Sequence, residues 1–147
     1  MQNKEQLFRE KAAAGYLVCY NDGCPLHERC LRHDVGPYEP SDNIIINVVS
    51  PHHAHAADGL CPLYTENKIV RMPIGMRQHF YEDMPIRIAK AIKKRLIDHN
   101  CRSTYYHYHN GARPVNPAMF AYIERVCREE GWQGPLVFDG EVEDYDW

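Results

Sequence analysis

Apolar residues recur at helical spacing near the middle of the chain. Ile86, Ala89, Ile92 and Leu96 follow one another at intervals of three or four residues, which places them on one face of a helix. The proline immediately before them suits the first helical position, where a missing N–H costs nothing. The pattern predicts a helix over residues 85–99, with one buried face and basic residues on the rest of its surface.

A later segment carries helix signals at both ends. Asn116 is a favourable N-cap, Pro117 suits the first turn, and Gly131 can end the helix in the left-handed conformation. Met119 and Ile123 mark the apolar face between these ends. Together these signals predict a helix that begins at Pro117 and ends before Gly131.

The remaining patterned segments are shorter. Good helix formers over residues 3–14 predict one short amphipathic helix. The apolar run at residues 44–49 predicts a buried strand, and the runs at residues 68–72 and 136–138 predict two more strands of a small sheet. The closing sequence DGEVEDYDW is interpreted as an acidic tail.

The segment between the two longer helices admits two structures. As a hairpin it would turn at Asn110 and Gly111, but Pro114 would then lie in the return strand without a ladder donor. As a short helix it would run from Arg102 to His109, with a serine or threonine near its start and the Asn-Gly pair at its end.

The helical alternative gives the order helix, tight turn, helix and longer helix, which is the arrangement of a helix-turn-helix domain. The sequence RSTYYHYHNGARP also resembles the recognition helices of small bacterial helix-turn-helix regulators. The resemblance extends over about thirty residues, from Ile88 to Pro117. That resemblance implies contact with nucleic acid. The residues expected at the contact are Lys90, Lys93, Lys94, Arg95, Arg102, Ser103, Thr104, Tyr106, His107 and Arg113.

Charge is distributed unevenly along the chain. The formal net charge is only −3 over 147 residues, but residues 66–114 carry 10 basic and 4 acidic residues, whereas residues 115–147 carry 2 and 8. Clustered positive charge attracts the phosphate backbone. Nucleic acid is therefore the expected partner of the basic segment, and a protein partner docked through the acidic tail is the alternative.

Composition places the chain among ordinary globular proteins, with 44% hydrophobic and 25% charged residues. No stretch approaches the roughly 20 apolar residues of a membrane span. Glu5 and Glu10 lie where a signal peptide would be apolar. We expect a cytoplasmic protein that does not interact with a membrane.

In a reducing compartment, clustered cysteines are more often metal ligands than disulfides. Cys19, Cys24, Cys30 and Cys61 form the pattern Cys-x4-Cys-x5-Cys-x30-Cys in a segment rich in turn-forming residues. The pattern predicts one metal centre held by four thiolates, either zinc or an iron–sulfur cluster. Free buried thiols are the alternative.

The sequence VCYNDGCPLHERCLRHDV resembles the cysteine segment of the WhiB-like iron–sulfur transcription regulators, in which a Cys-Pro pair is followed by a charged stretch and then Cys-Leu. The resemblance is local to these eighteen residues. It implies that a loop of this kind can hold a cluster.

A histidine-rich loop precedes the last of the four cysteines. His52, His53 and His55, near Asp58 and Cys61, are interpreted as an exposed loop, as a second site, or as the source of one ligand in place of a cysteine. The chain contains no Gly-rich phosphate loop and no His-Glu-x-x-His sequence. We therefore expect a protein that is not an enzyme, and a metal-dependent hydrolase that uses this loop is the least favoured alternative.

From the Cys-x4-Cys-Pro segment through TYYHYHNGARP to the closing GWQGPLVFDGEVEDYDW, the sequence resembles an uncharacterised family of small bacterial proteins of Bacteroidales type. The resemblance implies a shared fold and a cytoplasmic setting, and it assigns no residue a role.

These observations predict an α+β protein in two parts. Residues 1–72 form a Cys-rich metal-binding lobe with short strands, and residues 73–147 form a helical region of helix-turn-helix type that ends in the acidic tail. The predicted function is a metal-stabilised module for nucleic-acid binding or regulation. A protein-interaction adaptor that uses the acidic, aromatic tail is the main alternative.

Overall fold

The computed structural model describes residues 3–53 and 61–147 and divides the chain into two compact units. The first unit comprises Met1–Lys68 together with Trp147, and the second comprises Ile69–Asp146. The boundary predicted after residue 72 falls inside the first strand of the second unit.

Helices and one two-stranded sheet make up the regular structure of the described residues, so the fold class is α+β as predicted. Two short 3-10 turns, His27–Arg29 and Gly36–Tyr38, flank the second helix. The helices are α1 (Lys4–Ala13), α2 (Leu31–Val35), α3 (Ile86–Asn100), α4 (Arg102–His109) and α5 (Pro117–Glu129), and the strands are β1 (Ile69–Ile74) and β2 (Gly140–Tyr145).

The helix predicted over residues 3–14 is confirmed as α1. The side chain of Asn3 caps it by accepting a hydrogen bond from the Glu5 N–H at 3.3 Å. Phe8 is buried, and its ring lies edge-on to the rings of Tyr38 and Trp147. The packing of α1 is therefore centred on one aromatic side chain.

The buried strand predicted at residues 44–49 is wrong. Ile44 and Ile45 are 98% and 88% exposed. In the described part of the chain, the only strand pairing of this segment is an isolated parallel bridge between Val18 and Val48. The prediction equated an apolar run with burial, but burial also requires a neighbouring element that covers the run.

The three helices predicted in the second half are confirmed as α3, α4 and α5, and the helical alternative for the segment between the long helices is correct. The junction of α3 and α4 is the single residue Cys101, which has a φ of 64°. A helix-turn-helix motif more often has a turn of three or four residues. The connection between these two helices is therefore shorter than the motif predicts.

Both predicted ends of α5 are confirmed. The side chain of Asn116 accepts a hydrogen bond from the Met119 N–H at 2.9 Å, and Pro117 is the first helical residue. Gly131 has a φ of 92° just past the C-terminal end, a conformation that glycine adopts without strain. Local sequence therefore sets both ends of this helix.

The strand predicted at residues 136–138 is wrong, and the acidic segment forms β2 instead. β2 pairs with β1 in antiparallel register, from Ile69 opposite Tyr145 to Ile74 opposite Gly140. The guanidinium of Arg71 lies 3.0 Å from the carboxylate of Glu143. Cross-strand charge pairing of this kind makes an acidic strand compatible with the sheet.

Asp139 fixes the chain just before β2. Its carboxylate accepts hydrogen bonds from the N–H groups of Arg77, Gln78 and His79 at 2.8 to 3.1 Å. Desolvation acts to raise the pKa of Asp139, but the three donors outweigh it and hold the pKa below its usual value. The segment that follows β1 is thereby tied to the segment that precedes β2.

The core of the second unit packs around α3, α4 and α5. Tyr105 and Tyr108 of α4 are buried, as are Ile92 and Leu96 of α3. Tyr105 places its hydroxyl 3.1 Å from that of Tyr81. Because these residues face inward, the other side of α3 and α4 carries their polar residues.

We predict that Asn116→Ala lowers the free energy of unfolding by about 1 kcal/mol, because the Met119 N–H loses its acceptor. Urea denaturation followed by circular dichroism measures the change. Asn116→Ser is the matched control, since it keeps a capping oxygen and should cost less. Equal losses in the two variants would mean that the hydrogen bond of the Asn116 amide to Asp146, rather than the cap, carries the effect.

Candidate metal centre and candidate nucleic-acid interface

All four cysteines of the predicted metal site line one cavity in the first unit. Cys19, Cys24, Cys30 and Cys61 are each half-buried around a space of about 40 Å³. One water molecule needs roughly 10 to 15 Å³. The cavity therefore has room for an ion among the thiols.

Turns and backbone hydrogen bonds bring the first three cysteines to this cavity. The backbone turns between Asn21 and Cys24, where the Cys24 N–H donates to the Asn21 carbonyl at 3.2 Å. The Cys19 N–H donates to the carbonyl of Arg32 at 3.0 Å. Cys30 lies at the start of α2. Irregular backbone of this kind lets several thiols face one space.

Arg32 connects the segments that carry the cysteines. Its Nε donates to the carbonyl of Leu63 at 2.7 Å and its Nη1 to the carbonyl of Leu17 at 3.1 Å. Leu17 and Leu63 lie two residues from Cys19 and Cys61 respectively. One guanidinium therefore holds the two ends of the cysteine pattern to the segment that follows Cys30.

Three histidines also line the cavity, and two of them were missed in the sequence. His27 and His33 lie three residues on either side of Cys30, a spacing that could have revealed them. The third is His53, whose Nε2 is 3.8 Å from the Sγ of Cys61. The cavity thus combines thiol and imidazole donors.

Within residues 3–53 and 61–147, no three His, Cys, Asp or Glu side chains approach one point closely enough to hold an ion as they are arranged. Thiolates that converge repel one another unless a cation lies between them. Binding at this cavity would therefore require the side chains to turn inward around the ion. His52 is exposed, and His55 and Asp58 of the predicted loop lie outside the described residues.

The residues predicted to contact nucleic acid lie on or near α3 and α4 in the second unit. Two of the basic side chains are engaged by acids: Lys94 Nζ is 2.7 Å from Asp98, and Arg95 pairs with Glu129 and Glu130. Lys90, Lys94, Arg102, Ser103, His107 and Arg113 are exposed, and Lys93, Arg95, Thr104 and Tyr106 are half-buried.

Cations and aromatic rings meet where α3 and α4 adjoin. Lys93 Nζ lies 5.9 Å from the centre of the Tyr105 ring and 5.6 Å from that of Tyr106. The guanidinium of Arg102 is 5.9 Å from the Tyr106 ring. Lys90 lies one helical turn before Lys93 and so shares its side of α3. We call Lys90, Lys93, Arg102 and Tyr106 the α3–α4 cationic cluster.

The two cysteines outside the predicted metal pattern have opposite environments. Cys101 is exposed, and its Sγ is 3.4 Å from the Thr104 hydroxyl. That hydroxyl and then the Thr104 N–H lower the pKa of Cys101, because both can donate to the thiolate. Burial raises the pKa of Cys127 to about 11.

The chain belongs to a family of unknown function, DUF6078, whose model matches residues 1–147. This confirms the predicted membership in an uncharacterised family. No curated protein and no solved structure gives a significant match to the chain. None of the described helices is both long enough and apolar enough to cross a membrane.

We predict that iodoacetamide modifies Cys101 first and Cys127 last in the native protein at neutral pH, because the thiolate is the reactive form. Peptide mass spectrometry over a time course measures the order. Cys101→Ser should remove the fastest reaction and leave the others unchanged. Modification of Cys127 at the rate of Cys101 would contradict the difference in burial described above.

Proposed function

We propose that this protein is a non-enzymatic, metal-stabilised module that binds nucleic acid through α3 and α4. The observation that carries the binding role is the α3–α4 cationic cluster, where cations lie beside an aromatic ring on two adjoining helices. Aromatic rings that stack on bases and cations that contact phosphates are the two usual components of such surfaces.

Charge on these two helices supports the same proposal. α3 and α4 together carry six basic residues and one acidic residue, Asp98. Lys94 and Arg95 are engaged in ion pairs, so the phosphate contacts are assigned to Lys90, Lys93 and Arg102. In this proposal α3 and α4 act as a compact helix-turn-helix-like pair, with Ser103 and Arg102 at the exposed N-terminal end of α4.

The metal part of the proposal is supported by the cavity that the four cysteines share. A structural zinc site supplies about 10 to 16 kcal/mol at pH 7 in peptides. That is as much as the whole stability of a typical domain, about 5 to 15 kcal/mol. The metal of this proposal therefore stabilises the first unit.

Protein purified under anaerobic conditions should contain about one metal centre per chain. Elemental analysis for zinc and iron, with assay of acid-labile sulfide, measures it. Cys19→Ser combined with Cys61→Ser should abolish metal content, whereas Cys101→Ser combined with Cys127→Ser should keep it. Metal well below one equivalent in the unmodified protein would contradict the metal centre.

Lys90→Glu combined with Lys93→Glu should weaken binding to duplex DNA or RNA at low salt. Fluorescence anisotropy with labelled oligonucleotides over a salt series measures the affinity, and each lost phosphate contact should reduce the log–log slope by about 0.9 on duplex DNA. The charge-matched control is Arg125→Glu with Arg128→Glu, on α5, which should change the affinity less. Equal effects of the two pairs would contradict a specific interface on α3 and α4.

A further inference from the structure

We propose that the metal is zinc and that His53 binds it together with Cys61, so that the centre has mixed thiolate and imidazole ligands. This inference rests on the metal centre proposed above and names the ion and one further ligand. It begins from a pair of donor atoms, in His53 and Cys61, whose separation is already close to that of two ligands on a shared ion.

The distance between the donor atoms of His53 and Cys61 is the first observation that supports this inference. Zinc binds thiolate at about 2.3 Å and imidazole at about 2.0 to 2.1 Å, so two such ligands on one tetrahedral ion lie about 3.6 Å apart. The Nε2 of His53 and the Sγ of Cys61 are 3.8 Å apart. Both atoms belong to side chains that line the cavity.

Local backbone holds His53 at this position. The His53 N–H donates to the carbonyl of Ser50 at 2.9 Å, which closes a tight turn. The neighbouring His52 is exposed, while His53 is half-buried against the cavity. The turn therefore directs one histidine of the pair, and only that one, towards the thiols.

The other two histidines of the cavity make the kind of hydrogen bond that metal-binding imidazoles usually make through their second ring nitrogen. A ligating histidine fixes its second ring nitrogen on a carboxylate or a carbonyl. Nδ1 of His27 is 2.7 Å from the carbonyl of Cys24, and Nε2 of His33 is 2.8 Å from the carboxylate of Asp22. In each ring the hydrogen bond leaves the other nitrogen as the potential donor to a metal.

A donor set of this composition favours zinc over a four-iron cluster. Structural zinc sites accept three thiolates with one imidazole, or two of each, in tetrahedral geometry. Four-iron clusters are held by four thiolates. Arg32 also lines the cavity and supplies a positive charge near the thiolates, which fits an anionic zinc–thiolate centre.

The test uses the full-length protein with its zinc exchanged for cobalt, which reports its ligands by absorbance. We expect His53→Ala to weaken zinc affinity by about 100-fold, at or beyond the 10 to 100-fold typical of residues that only orient a ligand. The matched control His52→Ala should keep the affinity and the cobalt spectrum. His53→Cys should restore binding and raise the thiolate-to-cobalt charge-transfer absorbance above that of the unmodified protein.

Three results would overturn the inference. An unchanged affinity and cobalt spectrum in His53→Ala would remove His53 from the ligands. Iron with acid-labile sulfide in the anaerobically purified protein would replace zinc, while leaving the metal centre of the proposed function intact. Absence of zinc, cobalt and iron binding by a protein whose circular dichroism shows it to be folded would overturn both the inference and the metal centre.

Discussion

The structure of the first unit is constrained by how little apolar surface it can bury. Its described part contains five fully buried hydrophobic side chains: Phe8, Ala12, Val18, Leu31 and Val35. A single core in a domain below about 70 to 80 residues rarely supplies more than about 3 to 5 kcal/mol. Hydrogen bonds such as those of the Arg32 guanidinium therefore help to hold its loops together. A metal ion bound by the cysteines would also hold these loops together.

The basic side of the second unit follows from the way its core is built. α4 has only eight residues, and it uses Tyr105 and Tyr108 to reach the core. Burying these two leaves Arg102 and Tyr106 on the outer side, where Lys93 of α3 meets them. The same packing places Arg95 near two glutamates at the end of α5, which neutralises it. Core packing thus determines which of the cations remain available to a partner.

Local signals in the sequence predicted the helices well, because caps and breakers such as Asn116 and Gly131 act within a few residues. The strands depended on distant partners: the one predicted at residues 68–72 is confirmed as β1, whereas those predicted at residues 44–49 and 136–138 are wrong. Ile44 and Ile45 are apolar, but no neighbouring element in the described part of the chain covers them. β2 was not predicted because its sequence is rich in acidic residues, although Val142 alternates with Glu141 and Glu143 as in a strand. The four cysteines were singled out from their spacing, whereas the contribution of Arg32 to the cavity depends on hydrogen bonds that spacing does not encode.

The pairing of β1 with β2 has a consequence for the order in which the second unit assembles. β1 opens the unit and β2 closes it, so α3, α4 and α5 all lie between the two strands in the sequence. Contacts between residues so distant in sequence carry a large entropic cost and form slowly. During synthesis on the ribosome, the helices can pack as they emerge, but β1 and the segment after it gain the contacts of β2 and Asp139 only once those residues have emerged as well.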